Sequence, residues 1–254
     1  MRLSVIVPVL NEAAAIRAFA FHLRDRLPEA EIVFVDGRSE DATVAELEAV
    51  AEALSLRVLH STRGRAQQLN TGARAAGGEF LLFLHADSRL PAGCSRAIAD
   101  LFENERISGG CFRLRFPRPE WIYREPVGRI SDSLGNLAVD LFQIALGDHG
   151  IFCRRSVFLA TGGYPVVPLM EDAEFYRALR RFGEVRQLRL AVETSPRRYE
   201  ELGRYRTTFF YLFILLFYLL KVSPHRLARW HGRFTRERAP ERWAEISRAM
   251  PLFR

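Results

Sequence analysis

Apolar residues in this chain come in short dense runs, separated by stretches in which they recur every three or four positions. Leu3–Leu10 is apolar almost throughout, as a strand buried on both faces should be. After Asn11-Glu12, residues Ile16, Phe19, Ala20, Leu23 and Leu27 fall at helical spacing, and Pro28 ends that helix. Ile32–Val35 predicts a second strand. A helix carrying Val44, Leu47, Ala51 and Leu54 follows Asp41, which reads as its N-cap. Arg57–Leu59 predicts a short third strand, Gln67–Ala76 a helix stopped by Gly77-Gly78, and Phe80–Leu84 a fourth strand. Repeated βα units predict a mostly parallel sheet flanked by helices.

The second half is less regular. Ala92–Phe102 predicts a helix and Gly109–Phe116 an alternating strand, with a turn at Pro117–Pro119. Residues 121–146 mix apolar and polar positions and predict helix, suited to a lid on the acceptor side. Gly150–Arg154 predicts a strand, Glu171–Phe182 a helix capped by Gly183, and Val185–Val192 a strand that closes the sheet. From Ser195 the character changes. Phe209–Leu220 is an unbroken apolar run followed by an Arg-rich tail. The chain therefore divides into an α/β domain, 1–194, and a helical basic and apolar appendage, 195–254.

Composition narrows the class. With 254 residues, 48% apolar and 26% charged, the chain can build one substantial α/β core. The net charge of +7 comes almost entirely from Arg, which suits phosphate and anionic surfaces. The basic residues concentrate after Arg177 and are not interleaved with stacking aromatics on one short element, which argues against nucleic acid. Cys94, Cys111 and Cys153 are widely spaced and odd in number, so they read as reduced, buried thiols of a cytoplasmic protein. Met1-Arg2 leads straight into the first strand, without the pattern of a secretory signal.

Candidate chemistry lies at the strand ends. Three strands deliver a carboxylate or carboxamide at their carboxyl ends: Asn11-Glu12, Asp36 and His85-Ala86-Asp87. Open α/β sheets bind ligands there. Together with the basic loop Gly64-Arg65, this pattern points to a nucleotide site with an acidic metal position. Asp87 is the best metal ligand among these groups, since Mg²⁺ prefers carboxylate oxygen.

These segments resemble the family-two glycosyltransferases, A-type enzymes that take sugars from nucleotide diphosphates. The matching elements are Val-Pro8-Val-Leu-Asn11-Glu12, Val-Asp36-Gly-Arg-Ser-Glu-Asp41-Ala-Thr43, Gly64-Arg65…Asn70-Thr-Gly72-Ala, Leu84-His85-Ala86-Asp87, and Gly-Gly-Tyr-Pro…Met170-Glu171-Asp172. They span roughly the first 185 positions in the family's order. The wording around Gly64-Arg65-Ala and Glu171-Asp172 is similar to a bacterial subgroup placed near arsenosugar biosynthesis. The resemblance implies an A-type fold and an inverting sugar transfer from a UDP- or GDP-type donor. It implies nucleotide contacts at Pro8, Asn11, Glu12, Asp36, Arg65, Asn70 and Ala86, and Mg²⁺ or Mn²⁺ at Asp87. It also implies a general base at Asp172, its proton affinity raised by Glu171.

Two positions depart from the family pattern. His85 stands where relatives carry the first Asp of an acidic pair, and imidazole suits Mn²⁺ better than Mg²⁺. Gly37 replaces a second Asp. His149, in Gly147-Asp148-His149-Gly150, is a further candidate for the metal, the acceptor or the diphosphate. Each site residue also has a plainer reading. Glu12, Glu171 and Asp172 suit helix N-termini, Asp36 a turn, and Asp87 a local cap. Two other functions stand beside sugar transfer: nucleotidyl transfer, and a catalytically silent, membrane-associated protein that binds nucleotide sugars. The run Phe209–Leu220 falls short of the ~20 residues that span a bilayer. It would pack on the core, join a second subunit in a homo-oligomer, or lie at the inner membrane face, flanked by Arg204, Arg206, Lys221, His225, Arg226 and Arg229.

Overall fold

The computed structural model describes residues 1–116, 135–195 and 203–235. In chain order these form β1 (Leu3–Val9), α1 (Ala13–Arg26), β2 (Glu31–Asp36), α2 (Thr43–Ala51), β3 (Leu56–His60), α3 (Arg65–Ala75), β4 (Phe80–Phe83), α4 (Cys94–Phe102) and β5 (Ile107–Arg115). A helix at 135–142, α5, precedes a 3₁₀ turn at Gly147–His149. Then come β6 (Ile151–Arg154), α6 (Arg155–Thr161), α7 (Glu171–Leu179) and β7 (Glu184–Glu193), and finally the helices Arg204–Leu219 and Pro224–Thr235. Two compact units emerge: Met1–Val166 with Asp172–Pro196, and Val167–Glu171 with Arg197–Arg254. Of the helical lid expected over 121–146, residues 121–134 lie outside those described.

The first unit is built on a seven-stranded sheet ordered β3-β2-β1-β4-β6-β5-β7. The β1–β2, β1–β4, β2–β3 and β5–β7 pairs are parallel; β6 runs antiparallel to both neighbours. The sheet is therefore mostly parallel, with one reversed strand that apolar patterning did not reveal. The reversal is functional in effect: it brings the segment before β6 to the edge where β1, β2 and β4 end. Alternate residues of β1 feed two separate cores. Val5, Val7 and Val9 join Ile16, Leu23, Leu47 and Ile98 on one face, and Ile6 joins Leu69, Ala73, Phe158 and Phe175 on the other.

Helix α3 crosses the sheet unusually closely. A Cβ on Gly72 would lie 2.6 Å from a methyl of Ile6 and 2.8 Å from a methyl of Val35. The glycine thus lets the helix seat against β1 and β2 and fixes where its N-terminus, with Arg65, emerges. The three cysteines are buried and unbridged. Burial pushes the Cys111 thiol up to about 12, so it has no thiolate at neutral pH.

Candidate active site

The strand order reverses between β1 and β4, the switch point where an α/β sheet opens a crevice. The last β1–β4 pair is Ile6 with Phe83, while β1 continues alongside β2 as far as Val9 and Asp36. Pro8 falls just where β4 has dropped away. Its backbone nitrogen faces the β4 side, so the missing N–H forfeits no ladder bond. A proline inside a central strand is tolerated because the sheet splits there.

Two loops at this edge are tied together by polar side chains. Asn11 has a positive φ of 56°; its N–H donates to Ser39 Oγ at 2.9 Å and its Oδ1 accepts from the Glu40 N–H at 2.8 Å. The Glu12 N–H donates to Thr43 Oγ1 at 2.7 Å, and the Ala13 N–H to Asp41 Oδ2 at 3.1 Å. Asp41 Oδ1 accepts the Thr43 N–H at 2.9 Å. Asp41 thus accepts the first N–H of both α1 and α2, but it stands one residue before the N-cap position of α2, which Ala42 holds, so the predicted N-cap is displaced by one residue. Asp36 is buried and accepts backbone N–H groups from Arg38 at 3.0 Å and Ser39 at 3.1 Å, with His60 Nδ1 3.6 Å away. These bonds shape the Gly37–Ser39 turn.

Beneath the loops, Gln68 acts as a buried strut. Its amide donates to the carbonyls of both Val9 and Val35 at 2.8 Å, pinning the ends of β1 and β2. A Cβ on Gly37 would lie 2.8 Å from the Gln68 amide carbon, which explains a glycine at this turn. Asn70 is buried too. Its Nδ2 donates to the Tyr164 carbonyl and its Oδ1 accepts the Tyr164 N–H, both at 2.8 Å. Its amide is thus engaged by the Gly163-Tyr164 loop and ties α3 to it.

The charged centre of the site combines four distant segments. Arg65, at the start of α3, places a guanidinium nitrogen 3.3 Å from Asp172 Oδ2, whose side chain is almost wholly buried. His85, just past β4, has its Nδ1 2.8 Å from Asp148 Oδ1. Gly147 closes over both: a Cβ there would lie 2.3 Å from His85 Nε2 and 2.8 Å from Asp172 Oδ2. Burial would lower the His85 pKa, but its hydrogen bond to the Asp148 carboxylate outweighs that and holds it above the ordinary value. Burial works to raise Asp148, yet the hydrogen bond and charge of His85, aided by Arg65, hold it well below the usual carboxylate range. In the Gly147–Gly150 segment the sequence points to His149, whereas Asp148 and Gly147 are the residues that reach this centre. A short charged residue between two glycines was the available signal.

His149 is enclosed by the fold. Its Nδ1 lies 3.2 Å from the Leu146 carbonyl within its own turn, and burial lowers its pKa, favouring the neutral ring. Ala86 is buried, and Asp87 is exposed at the strand-end rim. Among the described residues, no three His, Cys, Asp or Glu side chains gather where they could hold a metal ion. The expected grouping of Asp87 with His85 and His149 is not assembled, since His85 turns its Nδ1 to Asp148 and His149 is bound into its turn. A single exposed carboxylate still fits a divalent cation that arrives on a diphosphate, because Mg²⁺ keeps several waters and needs few protein ligands. Glu171 is buried at the start of α7.

Residues 4–159 match the family model of glycosyl transferase family 2. No curated protein matches the chain by sequence. Among solved structures, the S. aureus TarS fragment 1–349 in complex with UDP-GlcNAc is 20% identical, with a TM-score of 0.59 over 77% of this chain and 58% of that one. The chain thus spans little more than half the length of that fragment. The mannosyltransferase PcManGT from Pyrobaculum calidifontis, in complex with GDP-Man and Mn²⁺, is 19% identical, with a TM-score of 0.65 over 98% of this chain and 73% of that one. Glucosyl-3-phosphoglycerate synthase from Mycobacterium tuberculosis is also 19% identical, with a TM-score of 0.56 over 80% of this chain and 75% of that one. At these identities the neighbours speak for the A-type fold.

Proposed function

This chain belongs to glycosyl transferase family 2, and from that premise we propose that it moves a sugar, with inversion, from a nucleotide-diphosphate donor of the UDP or GDP type to an acceptor. The acceptor is a hydroxyl compound or a polyprenyl phosphate. The observation that carries the reading is the meeting of Arg65 and Asp172 at the crevice between the ends of β1 and β4. A cation that can face the diphosphate and a buried carboxylate that can face the acceptor meet in this crevice. Family membership displaces the nucleotidyltransferase alternative. The sequence around Gly64-Arg65-Ala and Glu171-Asp172 supports the subgroup near arsenosugar biosynthesis.

In the proposed reaction an acceptor oxygen forms a bond to the anomeric carbon from one side as the bond to the diphosphate oxygen breaks on the other. A hydroxyl acceptor passes its proton to the Asp172 carboxylate. The bonding electron pair leaves with the diphosphate, whose added charge Arg65 offsets from a fixed position. A divalent cation bound through Asp87 would supply further charge neutralisation on the diphosphate. Asp36, Asn11 and Glu12 form the nucleoside end, their loops pre-set by the Ser39, Glu40 and Thr43 contacts. Enzyme and substrate meet in the cytoplasm, with the protein held peripherally at the inner membrane face.

Melting the full-length protein with UDP or GDP, each with and without Mn²⁺ or Mg²⁺, tests donor binding. A ligand at a hundred times its Kd stabilises the native state by about 2.7 kcal/mol, so one pair should raise Tm clearly. If no nucleoside diphosphate moves Tm, the donor reading fails. If binding occurs but no nucleotide is released from any nucleotide sugar, with or without acceptor, the silent binding protein is the better description.

A further inference from the structure

The helices Arg204–Leu219 and Pro224–Thr235 form an aromatic hairpin. Phe210 stacks on Phe234 at 3.8 Å, and Phe213 and Phe217 each lie 5.4 Å from Trp230. The N-terminal half of the first helix thus meets the C-terminal end of the second, so the two run antiparallel. Leu227 is fully buried on the same ridge as Trp230 and Phe234. The interior of the hairpin is accounted for by these residues.

Its outside is not. Phe209 is 69% exposed, Leu216 53% and Leu220 63%. At about 100° per residue these three fall within a narrow stripe, roughly a quarter turn from the Phe210–Phe217 ridge. On the second helix Arg226, Arg229 and Arg233 are exposed and form their own stripe, again roughly a quarter turn from the Leu227–Phe234 ridge and in the same rotational sense. Because the helices run in opposite directions, equal offsets in the same sense put both stripes on one side of the hairpin.

We infer that this side of the hairpin is a docking face for an anionic lipid surface, with Phe209, Leu216 and Leu220 entering the interface and Arg226, Arg229 and Arg233 meeting the headgroups. The inference deepens the peripheral placement proposed above and rests on it for which membrane is meant. Charge complementarity selects this occupant. Residues 203–235 contain no Asp or Glu, so a second copy laid on the same face would bring Arg against Arg or bury Arg unpaired. A bilayer accepts both halves at once, apolar side chains into the acyl boundary and cations at its negative surface. Among the described residues no helix is long and apolar enough to cross a membrane, which leaves a helix pair lying in the interfacial plane.

Flotation of the full-length protein with extruded vesicles tests this, and needs neither donor nor acceptor, so its outcome is independent of the transfer chemistry. With phosphatidylcholine containing about a quarter phosphatidylglycerol, the protein should float at low salt, and it should sink with phosphatidylcholine alone. Binding should weaken at about 0.5 M salt, where the screening length falls below the ~8 Å of physiological strength. Arg226→Glu/Arg229→Glu/Arg233→Glu should lower partitioning roughly a hundredfold or more. Phe209→Ser/Leu216→Ser/Leu220→Ser should also release the protein, and both variants should keep the parent Tm because the six positions are exposed. A protein that ignores anionic vesicles at low salt, or a charge-reversed variant that binds like the parent, overturns the inference. So does a dimer in gel filtration that the serine variant dissociates while vesicles leave the parent untouched, since the face would then belong to a second copy.

Discussion

Asp172 is nearly enclosed, and its Oδ2 lies 3.3 Å from the half-exposed guanidinium of Arg65. If it is the base, Asp172→Asn should reduce turnover by roughly 10²–10⁴-fold while the dissociation constant for the nucleoside diphosphate stays close to the parent's. Single-turnover kinetics beside calorimetry would separate these quantities, and near-parental turnover would remove Asp172 from the role. Asp87 has a different task. Asp87→Ala should abolish the dependence of nucleotide affinity on Mn²⁺ or Mg²⁺ and leave the metal-free affinity in place, as titration calorimetry would read directly. His85 bears on the same question through Asp148. In His85→Asp a carboxylate would face the Asp148 carboxylate that now lies 2.8 Å from the imidazole. We expect that variant to melt lower than the parent in chelator and to recover with Mg²⁺, because a cation would relieve two facing carboxylates. Melting unaffected by Mg²⁺ would contradict it.

At the scale of elements, α3 is the piece on which the site depends, since it carries Arg65 at its tip, the Gln68 strut and the Asn70 clamp. Its seating rests on Gly72. Gly72→Val would drive methyl groups into Ile6 and Val35 and should destabilise the fold by about 1–3 kcal/mol through overpacking. It should also weaken nucleotide binding, because Arg65 would move with the helix. Urea unfolding measures the first effect; unchanged stability would mean the helix seats with room to spare. Much of this architecture is legible in the sequence. Near-continuous apolar runs marked β1, β2 and β4, and helical periodicity marked α1 and α4 within a residue or two, while for α2 it ran on to Leu54, three residues past the observed end at Ala51. What the pattern could not supply was direction and distance. Nothing in Ile151–Arg154 says that β6 runs backward, since a strand buried on both faces looks the same either way. That reversal alone brings Gly147 and Asp148 to His85, so the pairing of residues 63 apart was invisible. The resemblance implies a nucleotide contact at Asn70 and nothing in the sequence marks Gln68; the burial of both follows only from how tightly Gly72 lets the helix approach.

For the whole molecule, the His85–Asp148 pair is a long-range tie between the end of β4 and the turn before β6, and its strength depends on pH. His85 has its folded pKa raised, so its contribution is complete below the unfolded value of about 6.5 and is lost as pH rises through the higher folded value. Asp148 has its folded pKa lowered, so its contribution is complete above the unfolded value of about 3.9 and is lost as pH falls through the lower folded value. The tie is therefore strongest between those limits and fades on the alkaline side, where the folded state binds more protons than the unfolded. His22 acts in the opposite sense. Burial, reinforced by Arg26 and Arg89, lowers its pKa, and its Nε2 accepts the Leu90 N–H at 3.0 Å, so stability rises as pH climbs from the lowered folded value to about 6.5 and is level above it. The raw pH profile mixes the two, and a difference between proteins isolates the tie. Subtracting the unfolding free energy of His85→Asn from that of the parent should give a quantity that is positive at about pH 6 and shrinks steadily above the ordinary histidine value. The decline should be modest, because Asp148 is partly open to solvent and screening weakens the pair. Asp148→Asn should lose the same pH-dependent portion. A difference that stays level from acid to alkaline pH, or grows toward alkali, would mean that the imidazole is neutral in the folded protein and that Gly147 is held over the crevice by packing alone.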